Sequence, residues 1–320
     1  MSFVRVSIRS AFVLVAVLVT ALAVVRVAAW VRERDRQLPV NLRLVATPLG
    51  RVAIDVSGPP EGHPVLIVPG TAGWSGFWRE VSAHLAGKGY RVIAVDLPPF
   101  GYSEHDSRAR YDRRAQAERL SAVLAASTRR SAIVVAHSFG GGPATELALG
   151  HPGQVSKLVL IDGALGDLDP ATGGNASLLG SPLVAQPLVA ATLTNPHAIG
   201  ALSRSMLARK EAATRWREIL RAPMRRYGTT AAYASWLPSL LATNDGATSR
   251  QTAELKRLRL PVRLIWGDAD TVTPLAQGLR LAHLLHAPIT RLHGVGHVPH
   301  IEDPAHFLPA LDAAISELKP

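Results

Sequence analysis

Ser138, His297 and Asp270 are the residues whose types and placement fit nucleophilic chemistry in this chain. A serine hydroxyl attacks poorly until a base takes its proton. The base needs a carboxylate to fix its tautomer and to stabilise the imidazolium. Ser138 lies in Ala136-His137-Ser138-Phe139-Gly140-Gly141, where the run Ala132 to Ala136 stops and small residues open a helix. So tight a strand-to-helix turn needs small residues two before and two after the serine, the pattern of a nucleophile elbow. Ala136 stands where glycine is usual, and the motif alone competes with a serine that merely caps a helix.

The chain has 12 histidines. His297, in Gly294-Val295-Gly296-His297, follows the last strand-like run, and the glycines let a loop carry its imidazole over the sheet. His300 is its nearby competitor, His293 fits the strand end, and His137 should point away from the nucleophile. Asp270, in Gly267-Asp268-Ala269-Asp270, is the expected carboxylate. Asp268 suits the turn, and Asp162, at the end of an earlier strand, is the rival acid. An oxyanion needs N–H donors. The elbow supplies the amide of Phe139, and the loop Gly70-Thr71-Ala72-Gly73 is expected to supply that of Thr71.

These residues must be held by a sheet. Asn41 to Ala46 and Val52 to Val56 flank Leu49-Gly50 as a hairpin. Strands are expected at Val65 to Val68, Arg91 to Val95, Ala132 to Ala136 and Leu158 to Ile161, then at Val262 to Trp266 and Ile289 to Leu292. Helical patterns separate them at Trp78 to Leu85, Ala115 to Ala126, Gly140 to Leu149 and Leu275 to Leu285, and Ala305 to Leu318 closes the chain. That alternation predicts an α/β domain, a parallel sheet covered on both faces. The rhythm breaks after Asp162. Residues 163–182 are rich in Gly, Ser and Pro and read as loop, and Pro187 to Leu241 reads as helical. The expected organisation is an anchor and polar linker at 1–37, a core at 38–162 and 260–320, and a helical cap at 163–259.

With these stretches in view, the chain resembles the α/β-hydrolase superfamily, in its branch of small esterases, haloperoxidases, epoxide hydrolases and carbon–carbon bond hydrolases. Ile67-Val68-Pro69-Gly70-Thr71, Asp96 through Ser103, the elbow, Trp266 through Asp270 and Gly294 through Pro304 carry the resemblance, which covers about residues 41–318. It implies an eight-stranded, mostly parallel sheet with a helical cap after the sixth strand. The order Ser138, Asp270, His297 is the order of that fold. Pro69-Gly70 departs from the family's usual His-Gly, and Ser138 argues against the branches that attack with aspartate. The implied activity is cleavage of a carboxylic ester through an acyl-enzyme, with no cofactor and no metal. The alternatives are carbon–carbon bond hydrolysis or acyl transfer by the same triad, or a non-catalytic anchored binding protein of this fold.

With 320 residues, 48% hydrophobic and 18% charged, the chain is large enough for such a domain and its insertion. The absence of cysteine excludes disulfides and a thiol nucleophile. The net charge of +11 allows an anionic partner, but no nucleic-acid module is present, so none is expected as a partner. Arg5 and Arg9 precede Ala11 to Val25, where Thr20 is the only polar residue, and apolar character continues past Arg26 to Val31. A helix of that length crosses roughly 30 Å of hydrocarbon. One N-terminal transmembrane helix is expected to anchor the protein, with secretion after cleavage near Ala28-Ala29 as the alternative. Arginines at both ends leave its orientation open. The cap mixes apolar residues (Leu183, Val184, Leu188, Val189, Leu193) with arginines (Arg204, Arg209, Arg215, Arg217, Arg221, Arg225, Arg226) and Lys210, expected as a solvated face. The sharper alternative rests those cations on anionic headgroups, giving access to lipid-like esters.

Overall fold

β-Branched and aliphatic runs become strands where the sequence places them. The computed structural model describes residues 8–165, 179–241 and 246–316. Its strands are β1 (Leu42–Thr47), β2 (Gly50–Ser57), β3 (Pro64–Val68), β4 (Arg91–Val95), β5 (Ala132–His137), β6 (Val155–Ile161), β7 (Val262–Gly267) and β8 (Ile289–Leu292). They form one eight-stranded sheet in the order β1-β2-β4-β3-β5-β6-β7-β8. β1 and β2 make the expected hairpin, β2 meets β4 antiparallel, and the remaining pairs are parallel.

Alternate residues of the central strands feed two cores. Ile67, Ala94, Val135 and Val159 face one side with Trp78 of the turn after β3 and Phe307 of the closing helix, Pro304–Ser316. Leu66, Ile93, Val134 and Leu160 face the other, with Leu120 of Arg113–Ser127, Leu147 of Gly141–Gly150 and Leu281 of Leu275–Leu285. This is the two-sided burial that a parallel sheet demands. β6 begins three residues before the expected Leu158. Lys157 hides its start, because a lysine breaks the apolar run. Its buried Nζ donates to the carbonyls of Ala314 and Ile315 at 3.0 and 2.9 Å, at a helix end that favours a cation.

Helices are labelled α1 (Ile8–Arg32), α2 (Arg79–Gly87), α3 (Arg113–Ser127), α4 (Gly141–Gly150), α5 (Pro182–Ala191), α6 (Ala198–Met206), α7 (Ala213–Arg221), α8 (Thr229–Leu241), α9 (Leu275–Leu285) and α10 (Pro304–Ser316). Between β6 and β7 the described residues hold helices and turns and no strand. Most of the expected loop 163–182 lies outside the described residues, as do Arg5 and the end of the closing helix.

Among the described residues one helix is long and apolar enough to cross a membrane, Phe12–Arg32. Its side chains stand out from the protein, Phe12 76% and Leu14 73% exposed, which disfavours a core helix. The Thr20 hydroxyl is satisfied within the helix, donating to the Ala16 carbonyl at 2.8 Å. The segment after it is no free linker. Buried Glu33 accepts from the Thr230 amide at 3.1 Å and from the Thr230 hydroxyl. Asp35 and Tyr227 exchange backbone bonds with Arg225 and Asp35, each at 2.9 Å, and Arg36 lies 4.1 Å over the Tyr227 ring.

Candidate active site

β5 delivers Ser138 into a left-handed turn with φ of +49°. That conformation costs a non-glycine residue about 1–3 kcal/mol and persists where the surroundings enforce it. Close packing enforces it here. A Cβ on Gly140 would stand 2.5 Å from the Pro69 carbonyl oxygen, and one on Gly70 would stand 2.9 Å from Ser138 Cβ. Ala136 fits the departure from glycine because it is an in-register sheet residue, paired with Val68 of β3 and Leu160 of β6.

Ser138, His297 and Asp270 come together. His297 Nε2 lies 2.8 Å from Ser138 Oγ, and His297 Nδ1 lies 2.8 Å from Asp270 Oδ2. All three are buried. An ionised Asp270 accepts from Nδ1–H, which leaves Nε2 free to accept the serine proton. Burial pushes the Asp270 carboxyl up, but the hydrogen bond and charge of His297, the Thr273 hydroxyl and the Val272 amide together hold it below the ordinary value. Thr273 Oγ1 is 2.7 Å from Asp270 Oδ2, and the Val272 amide donates to Oδ1 at 2.7 Å.

The rival groups have other partners. Asp162 is fully buried and accepts from the Gly267 amide at 2.9 Å. Burial, then the neighbouring Asp270 charge, raises its pKa well above the usual carboxylate range. The carboxylate in contact with His297 is that of Asp270. Asp268 accepts from the Gly294 amide at 2.8 Å and meets exposed His293 at 2.9 Å, so both serve the turn. His300 stacks on Trp78 with ring centroids 3.9 Å apart.

Two neighbours of His297 escape sequence reasoning. His137 does more than precede the nucleophile. Its Nε2–H donates to the His297 carbonyl at 2.7 Å, and burial, with the His297 charge second, lowers its pKa to about 3. Glu302 gathers four backbone amides: Gly296 at 3.0 Å, Val298 at 3.2 Å, Ala208 at 2.9 Å and Arg209 at 3.0 Å. The first two flank His297 and the last two follow α6, so one carboxylate ties the histidine loop to the cap. The sequence signal is a glutamate directly after Pro299-His300-Ile301, five residues past His297.

Phe139 is buried behind the elbow, and Trp236 of α8 meets its ring edge-on at 6.1 Å and that of Phe100 at 4.8 Å. Thr71 follows Gly70 in the turn after β3, and it is exposed. The cap cations are not a uniform solvated face. Arg226 donates to the carbonyls of Gly101 and Ser103 at 2.6 and 2.8 Å, Arg209 pairs with Asp303 at 2.8 Å, and Arg221 donates to the Pro196 carbonyl. Among the described residues, no group of three or more His, Asp or Glu side chains could hold a metal ion.

Comparison with known proteins places this fold. The family described as alpha/beta hydrolase fold matches residues 63–304. The 2-hydroxymuconate semialdehyde hydrolase of Pseudomonas sp. (strain CF600) is 32% identical over 253 residues, covering 77% of this chain and 84% of that protein. A solved bacterial membrane phospholipase A superposes with a TM-score of 0.68 at 25% identity, covering 96% of this chain and 94% of that one. An esterase from Rhodococcus sp. ECU1013 shares the fold at 24% identity and a TM-score of 0.67, over 88% of this chain and all of its own. Since the match runs from β3 to the start of α10, and so takes in Ser138, Asp270 and His297 alike, the chain belongs to the α/β-hydrolase family.

Proposed function

We propose that the protein is a membrane-anchored serine hydrolase that cleaves a carboxylic ester with a lipid-like acyl chain. The observation that carries the chemistry is the unbroken chain from Ser138 Oγ through His297 to Asp270, 2.8 Å at each link. His297 takes the Ser138 proton as Oγ attacks the acyl carbon. The amides of Phe139 and Thr71 hold the oxyanion, and the imidazolium, facing ionised Asp270, protonates the leaving alcohol. Water then enters on the same base and releases the acid.

The lipid-like substrate and the anchor rest on α1, which is apolar, exposed and tied to the cap. Likeness to a membrane phospholipase A along nearly the whole chain favours the same reading. The second reading, carbon–carbon bond hydrolysis by the same three residues, is favoured by the 32% identity to a semialdehyde hydrolase, which reaches less of the chain.

A substrate panel on the full chain separates them. Turnover of medium- and long-chain acyl esters, with little on 2-hydroxymuconate semialdehyde, is the expected result. The reverse preference would establish the second reading.

A further inference from the structure

α5 is apolar on both sides. Ala185 and Val189 are buried in the cap core, while Leu183, Val184 and Leu188 on the opposite side are 88%, 45% and 40% exposed. A helix apolar all round belongs in a protein core or among lipids. Its place beside α1 decides which. Arg26 Nε donates to Gln186 Oε1 at 2.9 Å, and Arg32 donates to the Thr194 carbonyl at 2.6 Å. Gln186 is on α5 and Thr194 lies three residues past its end, so the chain through α5 advances in the same direction as α1 and the first turn of α5 points toward the apolar end of α1.

Depth follows from helix geometry. Phe12 to Arg32 spans about 31 Å at 1.5 Å per residue, close to the roughly 30 Å of a hydrocarbon core. Arg32 then marks the boundary, facing a headgroup layer some 5–8 Å thick. Gln186, bonded to Arg26, lies about 9 Å further in, and Leu183 about 4.5 Å beyond it.

At that outer level is an open groove of about 510 Å³, lined by Arg32, Pro196, His197, Arg221, Met224 and Arg225. Three guanidinium groups converge there. Arg32 Nε is buried with no hydrogen-bond partner. Arg221 spends two N–H groups on the Pro196 carbonyl, at 3.2 and 2.6 Å, and its third nitrogen is 3.7 Å from exposed Glu218. The Arg225 side chain is exposed. Positive charge at headgroup depth suits a lipid phosphate.

We propose that the cap is seated in the bilayer beside α1, with the first turn of α5 among acyl chains and the Arg32–Arg221–Arg225 groove holding an anionic phospholipid headgroup. This deepens the reading of an anchored lipid-ester hydrolase and rests on α1 spanning the membrane. It puts the cap, and so the door to Ser138, at the surface where such esters reside.

The absence of cysteine makes a clean test. Full-length Leu183→Cys and Lys256→Cys, the latter exposed at the end of the insertion just ahead of β7, each carry one environment-sensitive fluorophore in phosphatidylcholine–phosphatidylglycerol vesicles. The label at 183 is expected to be quenched by nitroxide lipid and shielded from aqueous iodide, and the label at 256 to do the opposite. Equal aqueous quenching at both positions would overturn the seating.

For the groove, the detergent-solubilised full chain is melted with short-chain phosphatidylglycerol, short-chain phosphatidylcholine or inorganic phosphate. Only phosphatidylglycerol is expected to raise Tm, by about 2–4 °C at tenfold Kd, and Arg221→Gln/Arg225→Gln is expected to abolish the rise. No rise, an equal rise with phosphatidylcholine or inorganic phosphate, or a rise unchanged in the double variant would each overturn it. Run in a Ser138→Ala background, both readouts are blind to hydrolysis. Failed seating with intact ester turnover therefore refutes this proposal alone, and seating without ester turnover refutes the substrate reading alone.

Discussion

Replacing Glu302 by glutamine keeps the size of the side chain and removes its charge. Oε2 accepts from Gly296, Ala208 and Arg209, while Oε1 accepts from Val298. A carboxamide oxygen can face the first three, but its NH2 then meets the Val298 N–H, donor against donor. A hydrogen bond to a charged group contributes about 1.5–3 kcal/mol and a neutral one about 0.5–1.5. Weakening three therefore costs about 1 kcal/mol each, and orphaning one buried amide costs about 1–3 more. Shared partners make these terms less than additive, so a loss of about 3–5 kcal/mol is expected. For a domain of this size that lowers Tm by about 5–7 °C. The two loosened amides on the sheet side flank His297, and a displacement near 1 Å at a reacting group costs on the order of 10²-fold. Glu302→Gln should therefore lose about 10- to 100-fold in kcat for a short-chain p-nitrophenyl ester at 25 °C, with little change in KM and native circular dichroism. A variant with kcat within twofold of wild type and Tm within about 1 °C would refute the clamp.

Three further outcomes follow from the same geometry. Asp162 accepts from the Gly267 amide while Asp270 holds His297, so Asp162→Asn should keep turnover within a few-fold, whereas Asp270→Asn should cost on the order of 10⁴-fold; the opposite ranking in kcat would make Asp162 the acid. His137 is neutral when folded, with its pKa lowered to about 3, so the unfolded chain binds one more proton below about pH 6.5. Its contribution is therefore complete above pH 6.5 and lost as pH falls toward 3, at up to about 1.4 kcal/mol per pH unit. Urea unfolding of His137→Gln between pH 6.5 and 4 should show a shallower slope by that amount, and an unchanged slope would contradict the assignment. Trp236→Ala removes the ring that meets Phe139 and Phe100, and it should shift acyl-chain selectivity and KM more than kcat on short esters; identical chain-length profiles would deny the cap side chain a part in selection.

The sheet was legible because buried strands are continuous β-branched runs; Ser138 follows one directly, and Asp270 and His297 come within five residues of one. The elbow was legible because sterics restrict Gly140, two residues past the serine. Lys157 blurred one strand start, since its helix-end partners lie at the far end of the chain. Glu302 and His137 were not legible, because their partners are backbone groups on loops that sequence spacing does not bring together. The same is true of the cap arginines. Arg226 at helical spacing reads as solvated, yet it is taken up by carbonyls of the Gly101 turn. The anchor was legible by length and apolarity, but its docking was not. That docking depends on Arg26, Arg32 and Glu33, which read as flanking charges until their cap partners are seen.

Ser138 as the activated nucleophile is tested most directly by labelling the full chain with a fluorophosphonate probe and mapping the adduct by mass spectrometry. One adduct is expected, on the peptide holding Ser138, lost in Ser138→Ala and slowed by orders of magnitude in His297→Ala. An adduct that survives in Ser138→Ala, or no adduct on the folded wild-type chain, would contradict the account.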